Sequence, residues 1–436
     1  MMDKLPIQPS GPVRGTIRPP GSKSITNRAL VCSALAQGES CLEGALASED
    51  TEVMIDSLRR LGVPVQAEDK GRRLVVQGQG GRIPAQQADL YTANCAFCIH
   101  GEILASGTTM RFLTAMVCLG RGVYRLDGVP RMRERPIRDL LEALGQLGAD
   151  ARSEQNNGCP PVVVRAQGLR GGRAEAAGDI SSQFLSALLM AAPCAQQDVD
   201  LVVRGPLVSR PYVDMTLAVM RSFGAKVQEP QPGRFLVQAA GYQPCTYSIE
   251  PDASAASYFF GAAAITGGRV TVEGLGRDSL QGDVAFCQCL ERMGCQVEYG
   301  PHGITVSGRA QKGIDVDMNA ISDTVPTLAA VALTVEGPTC IRGVAHMRHK
   351  ETDRIAALAT ELRKLGASVE ELPDGLRILP RPLHGAEIET YNDHRMAMSL
   401  ALVGLVTPGV VILNPGCTVK TYPEFFDDLA RIVQKR

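Results

Sequence analysis

Leu362-Arg363-Lys364-Leu365-Gly366-Ala367, followed a few residues on by the apolar run Leu376-Arg377-Ile378-Leu379, is the stretch on which the fold turns. It reads as the end of an amphipathic helix, a glycine in the left-handed position that stops helices, and then a β-hairpin. The same order recurs four times upstream. Leu58-Arg59-Arg60-Leu61-Gly62-Val63 precedes Leu74-Val75-Val76, and Leu144-Gly145-Gln146-Leu147-Gly148-Ala149 precedes Val162-Val163-Val164. Met220-Arg221-Ser222-Phe223-Gly224-Ala225 precedes Phe235-Leu236-Val237, and Leu290-Glu291-Arg292-Met293-Gly294-Cys295 precedes Ile304-Thr305-Val306. The glycines stand at 62, 148, 224, 294 and 366, so the spacings are 86, 76, 70 and 72 residues. Five units in near register predict a repeat architecture of the α/β class. A sixth helix, Glu424 to Val433, has no hairpin after it, while Leu5 to Arg18 carry the strand pattern it lacks. Both termini are therefore expected in one domain, closing a ring of repeats.

Helices rich in small residues lie between the hairpins. Ser181-Ser182-Gln183 opens Phe184 to Met190, Asp252-Ala253-Ser254 opens Ala255 to Ile265, Asp323-Thr324 opens Val325 to Leu333, and Asn392-Asp393 opens His394 to Val403. Each starts with the Ser, Asp or Asn that suits an N-cap. Their Ala, Ser and Gly faces suit close packing in a core.

A length of 436 residues exceeds one ordinary core, so two domains are expected. Tryptophan is absent and aromatics make up 4%, which leaves the core to Leu, Val, Ala, Ile and Met. A net charge of −1 counts against a nucleic-acid or membrane partner. Met1 to Pro6 has no apolar signal region, and no run of about 18 apolar residues suggests a membrane span. Thirteen cysteines, an odd count, argue against a disulfide framework and for a reducing, cytoplasmic location. Cys95-x-x-Cys98 with His100 looks like half a zinc site, but no second pair follows at zinc spacing, so no metal is expected. Cys287 and Cys289 read as small packed apolar residues.

The chemistry-bearing residues gather at helix starts. Pro20-Gly21-Ser22-Lys23-Ser24-Ile25-Thr26-Asn27-Arg28-Ala29-Leu30 brings hydroxyls, a lysine and an arginine to a helix N-terminus, where free N–H groups and the dipole favour an anion. It lacks the spacing of a nucleotide-type phosphate loop. Ala105-Ser106-Gly107-Thr108-Thr109-Met110-Arg111 is a second such start. Pro130-Arg131-Met132-Arg133-Glu134-Arg135-Pro136, His346 to Arg354, Asn392-Asp393-His394-Arg395 and Lys420-Thr421-Tyr422-Pro423 follow. Cations at helix N-termini oppose the dipole by a few tenths of a kcal/mol each, and a bound anion offsets that cost. Several such starts together fit a substrate set with more than one phosphate or carboxylate.

These motifs, in this order and over essentially the whole chain, resemble the 5-enolpyruvylshikimate-3-phosphate synthase family. Ser181-Ser182-Gln183-Phe184, Asp317-Met318-Asn319 with Asp323, Lys350-Glu351-Thr352-Asp353-Arg354 and Asn392 to Ala397 add to the likeness. The resemblance implies a two-domain inside-out α/β barrel, the enolpyruvyl transferase fold, with three β-α-β-α-β-β units per domain. Domain 1 would be residues 1–20 plus 249–436, domain 2 residues 21–248, and the active site the cleft between them. The implied reaction transfers the enolpyruvyl group of phosphoenolpyruvate to the 5-hydroxyl of shikimate 3-phosphate, releasing phosphate, with no cofactor and no metal. By matching position, Ser24 and Arg28 would meet the shikimate carboxylate and Ser181, Ser182 and Ser209 its 3-phosphate. Tyr212 would cover the ring, Gln183 would lie near both substrates, and His346 would donate to the substrate in a pH-dependent way. Asp323 would be the base on the 5-hydroxyl, assisted by Lys350. Lys23, Arg131, Arg354, Arg395 and Lys420 would hold phosphoenolpyruvate against the Gly107 backbone, and Glu351 or Lys23 would exchange the proton of the methyl carbon.

Each residue has a plainer reading. Asp323 could be only an N-cap, Glu351 only an i,i+3 partner of Arg354, and Tyr212 an ordinary packed aromatic. Arg133 and Arg135 could be structural, paired with Glu134 or with the opposite domain. The sequence departs from the family pattern at Ala105, where Asn is usual, in the unusual stretch 93–102, and at His346, where Asn is frequent. Gly107 leaves room for the phosphonate of glyphosate, so competition with phosphoenolpyruvate is expected, and a monomer is expected. The alternatives are the UDP-N-acetylglucosamine enolpyruvyl transferase, which shares the fold, and a non-catalytic anion- or RNA-binding repeat protein.

Overall fold

The computed structural model describes residues 3–92 and 106–433. Cys95, Cys98, His100, Ala105 and the stretch 93–102 lie outside the described residues. The chain divides into two compact units, Gly21–Ile249 and Met1–Pro20 with Glu250–Arg436. The second crossing falls one residue beyond the expected position.

Among its described residues, unit Gly21–Ile249 contains six α-helices: α1 (Lys23–Leu35), α2 (Glu49–Arg60), α3 (Gly107–Val117), α4 (Arg138–Gln146), α5 (Ser182–Ala191) and α6 (Arg210–Ser222). Its three sheets follow one plan, a parallel pair continued by an antiparallel hairpin. Thr246–Ser248 runs parallel to Gln37–Glu43, which is followed by Arg73–Gln79 and Val65–Glu68. Gln87–Tyr91 runs parallel to Arg121–Asp127, followed by Val162–Gln167 and Asp150–Ser153. Gly172–Ala177 runs parallel to Val199–Arg204, followed by Arg234–Val237 and Val227–Gln231. The last strand of the unit thus completes its first sheet.

The other unit contains α7 (Ala253–Thr266), α8 (Phe286–Met293), α9 (Val325–Ala332), α10 (Arg354–Lys364), α11 (His394–Gly404) and α12 (Phe425–Ile432). Two sheets repeat the plan, and Arg14–Ile17 supplies the outer parallel strand of one of them beside Arg269–Glu273. In the third, Glu387–Ile388 runs parallel to Val411–Leu413, and Lys4–Pro6 pairs antiparallel with the latter. The N-terminal strand takes the place of the missing hairpin.

The five hairpin-leading glycines all have positive φ, from 79° at Gly224 to 109° at Gly294, the conformation that ends a helix without a Cβ penalty. In each unit three helices are buried nearly all round, α1, α3 and α5 in one and α7, α9 and α11 in the other. The remaining helices are buried on one face. Small residues let the inner helices approach closely: a β-carbon on Gly261 of α7 would stand 2.7 Å from Thr327 and 3.1 Å from Leu402. Thr327 Oγ1 meets Ser257 Oγ at 3.0 Å and Ser399 Oγ at 3.2 Å, joining α7, α9 and α11. Each unit has its own apolar core.

Candidate active site

In unit Gly21–Ile249 the decisive side chain is Arg28. Ser22 caps α1 by accepting from Ile25 N at 3.4 Å, so Lys23 and Ser24 form the first turn and Arg28 points inward one turn on. Arg28 is 2% exposed. Its Nε donates to Thr216 Oγ1 at 2.7 Å, Nη1 to Ser24 O at 2.8 Å, and Nη2 to Ser186 Oγ and Tyr212 O at 3.3 Å each. The guanidinium also lies over the Phe112 ring at 5.2 Å. Burial pulls its pKa down to about 10, which still leaves it charged at neutral pH. A buried cation held by hydroxyls and carbonyls favours an incoming anion.

Ser181 caps α5, accepting from Gln183 N at 3.3 Å, and Ser182 is the first residue of that helix. Gln183 Nε2 reaches Thr108 Oγ1 at 3.5 Å, which brings the starts of α5 and α3 together. Ser209 is buried with φ 53°, immediately before α6, and its carbonyl accepts from Tyr212 N. At the start of α3 the Gly107 carbonyl accepts from Arg111 Nη1 at 2.9 Å. Arg131 pairs with Glu134 at 2.8 Å in an exposed position. Arg133 makes a two-pronged bond to Asp127 at 2.9 and 2.7 Å, a structural pairing with a partner other than Glu134.

The other unit gathers a denser cluster. Arg354, the first residue of α10, is 1% exposed and grips Asp393 through Nε at 2.7 Å and Nη2 at 3.1 Å. It also reaches Glu351 Oε2 at 2.9 Å and Asp323 Oδ1 at 3.3 Å. Burial alone would lower its pKa, but Asp393, Glu351 and Asp323 outweigh it and raise it. Glu351 Oε1 accepts from Lys420 Nζ at 2.9 Å. Asp323 Oδ2 accepts from Arg395 Nη2 at 2.7 Å, and Arg395 Nη1 donates to Tyr258 Oη at 3.2 Å. Lys350 Nζ is 3.9 Å from Asp323. Four cations thus meet three carboxylates, and the buried Asp283 carboxyl lies close enough to feel the charge of both Asp323 and Arg395.

Asp323 does not cap α9. The residue before α9 is Thr324, with no side-chain cap bond, and the Asp323 carboxylate is turned onto arginines. Glu351 does pair with Arg354, but it bridges Lys420 as well. Arg395 lies closer to Asp323 than the expected assistant Lys350. His346 is buried with Nε2 3.0 Å from Ser322 Oγ. Burial, with Lys350 nearby, lowers its pKa to about 4, so it stays neutral where pH dependence was expected.

Sequence reasoning gave no role to Thr216, Ser186, Tyr258 and Asp283, and it quoted Arg111 and Asp393 only as members of helix-start motifs. Asp283 is buried, accepts from Ser254 Oγ, and is pushed up to about 6 by burial and by the charge of Asp323. Of these, Asp393 carried the clearest signal in the sequence, as the N-cap of α11. Among the described residues no group of three His, Cys, Asp or Glu could hold a metal ion, and no helix is long and apolar enough to cross a membrane.

The sequence model of the family described as EPSP synthase (3-phosphoshikimate 1-carboxyvinyltransferase) matches residues 7–429. The chain belongs to the EPSP synthase family. A 3-phosphoshikimate 1-carboxyvinyltransferase of Nostoc punctiforme is 50% identical over 426 residues, 97% of either chain. One from Shewanella denitrificans is 46% identical over 439 aligned residues, covering all of both. Among solved structures, an EPSP synthase from Acinetobacter baumannii matches with TM-score 0.80 and 25% identity, covering 99% of this chain and 98% of that one. The enolpyruvyl transferase NikO from Streptomyces tendae shares the fold, with TM-score 0.78 and 21% identity, over 99% of this chain and 97% of that one. Family membership favours the synthase over the nucleotide-sugar transferase and the RNA-binding protein.

Proposed function

We infer that this chain transfers the enolpyruvyl group of phosphoenolpyruvate to the 5-hydroxyl of shikimate 3-phosphate, releasing phosphate. The observation that carries the chemistry is the cluster around Asp323, where a carboxylate is fixed by Arg395 and Arg354 with Lys350 3.9 Å away. Such a carboxylate can accept the hydroxyl proton as the oxygen attacks C2 of phosphoenolpyruvate. Lys23, Arg131, Arg354, Arg395 and Lys420, with the Gly107 backbone, hold the carboxylate and phosphate of phosphoenolpyruvate and offset the charge that develops on phosphate as it leaves. Glu351 or Lys23 delivers a proton to C3 and removes one again when the C–O bond to phosphate breaks. Arg28 and Ser24 take the shikimate carboxylate, Ser181, Ser182 and Ser209 take the 3-phosphate, and Gln183, Tyr212, His346 and Lys350 complete the acceptor site.

The phosphonate analogue glyphosate competes with phosphoenolpyruvate in this reading, and the enzyme works as a cytoplasmic monomer. The unpaired state of all eleven cysteines among the described residues supports a reducing compartment. The test is phosphate release in the presence of each substrate alone and of both. Release is expected only with both, and Asp323→Ala is expected to abolish it. Undiminished turnover in that variant rules out the assigned mechanism, and release without shikimate 3-phosphate rules out the reaction.

A further inference from the structure

Away from the substrate-facing side chains, α10 is fastened twice to one loop. Arg354 and Glu361 are seven residues apart, two helical turns, and so lie on the same face roughly 10 Å from each other. Arg354 grips Asp393. Glu361 is fully buried, and its Oε1 accepts from Tyr391 Oη at 2.7 Å while Oε2 accepts from Glu389 N at 3.1 Å. Lys364 Nζ lies 2.9 Å from both oxygens, so every face of this buried carboxylate is satisfied.

The loop it holds is strained. Tyr391 and Asn392 both have φ 54°, the left-handed region that non-glycine residues rarely adopt, and they do so consecutively. Two such residues in a row persist only where surrounding contacts over-determine them. The contacts include the Glu361 bonds on one side and, on the other, a bond from Asn414 Nδ2 to Asn392 Oδ1; within the loop Glu389 Oε1 accepts from Thr390 N and Tyr391 N at 3.1 Å each. Asn414 is itself left-handed, at φ 47°, and stands directly before the Pro415–Lys420 turn that presents Lys420. The strained pair therefore ends on Asp393, which holds Arg354, and is tied to the turn that delivers Lys420. Arg354 and Lys420 meet again at Glu351.

We propose that Glu361 and Tyr391 are positioning residues: they hold the 389–393 loop in its strained form so that Asp393 sets Arg354 for the anionic donor substrate. Neither is among the residues assigned to the substrates. The inference rests on the reading that Arg354 binds phosphoenolpyruvate.

The test uses the full chain with Tyr391→Phe, which removes one hydroxyl and little volume, and with Glu361→Gln. Steady-state kinetics with both substrates is expected to show KM for phosphoenolpyruvate raised at least about fivefold in Tyr391→Phe, with KM for shikimate 3-phosphate within about twofold. The double variant is expected to be no worse than Glu361→Gln alone, since both changes break one linkage. Hydrogen exchange read by mass spectrometry is expected to speed up over 389–395 and 415–421 and nowhere else. Equal changes in both KM values, an unchanged ratio, or exchange unaltered in those segments overturns the proposal. Wild-type protein without turnover would sink the functional reading, while the exchange pattern would still decide whether the linkage holds the loop.

Discussion

A β-carbon built onto Gly107 would stand 2.6 Å from Nη1 of Arg135 and 2.7 Å from Nη1 of Arg111. The backbone there is helical and tolerates alanine, so the obstacle is space, and it is bounded by two buried guanidinium groups. Gly107→Ala is expected to push at least one of them aside and to raise KM for phosphoenolpyruvate and the inhibition constant of glyphosate by about tenfold, near 1.4 kcal/mol. An inhibition series in which neither constant moves would contradict it. His346 carries a second prediction. Its folded pKa of about 4 lies below the ordinary 6.5, so the unfolded chain takes up a proton that the folded chain refuses. The associated stability is fully present above pH 6.5 and is lost as pH falls toward 4, by up to about 3 kcal/mol. Denaturant titrations at pH 7 and pH 4 should show a smaller loss for His346→Asn than for the wild type. The charged residues of the site were legible in the sequence because lysines and arginines at helix starts oppose the dipole and so ask for an explanation. Thr216 and Ser186 were not legible. A hydroxyl inside a helix looks the same whether it faces a buried guanidinium or its own backbone, and only the packing of α1 against α5 and α6 decides.

The helix α10 depends on Asp353 at its start. Asp353 Oδ1 accepts from Ile355 N and Ala356 N at 3.1 Å each, and Oδ2 accepts from Arg348 at 2.9 Å. Replacing it with alanine leaves two N–H groups unbonded and costs about 1 kcal/mol, seen as a melting-point fall of about 2–4 °C. Because Arg354 is the next residue, the same variant should also weaken phosphoenolpyruvate binding. An unchanged melting curve would show that the cap is dispensable. The helix-glycine-hairpin elements were plain in the sequence because each rule is local: apolar spacing makes the helix, a left-handed glycine ends it, and alternation makes the hairpin. The start of α9 was misread for an equally local reason. Asp323 sits where a cap would sit, and nothing nearby in the chain announces Arg354 and Arg395, which lie 31 and 72 residues away.

On the scale of the molecule, the two apolar cores share no residue. One belongs to the continuous segment Gly21–Ile249, whose last strand completes its own first sheet. Expressed alone, that segment is expected to fold and to melt in one cooperative transition, as separate cores imply. A broad, non-cooperative melt would show that it needs the rest of the chain. The repeat spacing exposed the number of units and the sharing of a domain by the termini, since a helix without a hairpin and a strand without a partner must meet. The pairing register was beyond reach, because it is fixed by contacts between the two ends of the chain.

That last pairing has a consequence for synthesis. Lys4 lies opposite Leu413, so the opening strand leaves the ribosome long before its partner exists. At roughly 5–20 residues per second the delay is on the order of tens of seconds, during which Gly21–Ile249 emerges whole. A waiting strand invites pairing with neighbouring nascent chains. This one is three residues long, begins with a lysine and ends with a proline, and each of those traits discourages such capture until the final sheet is ready to receive it.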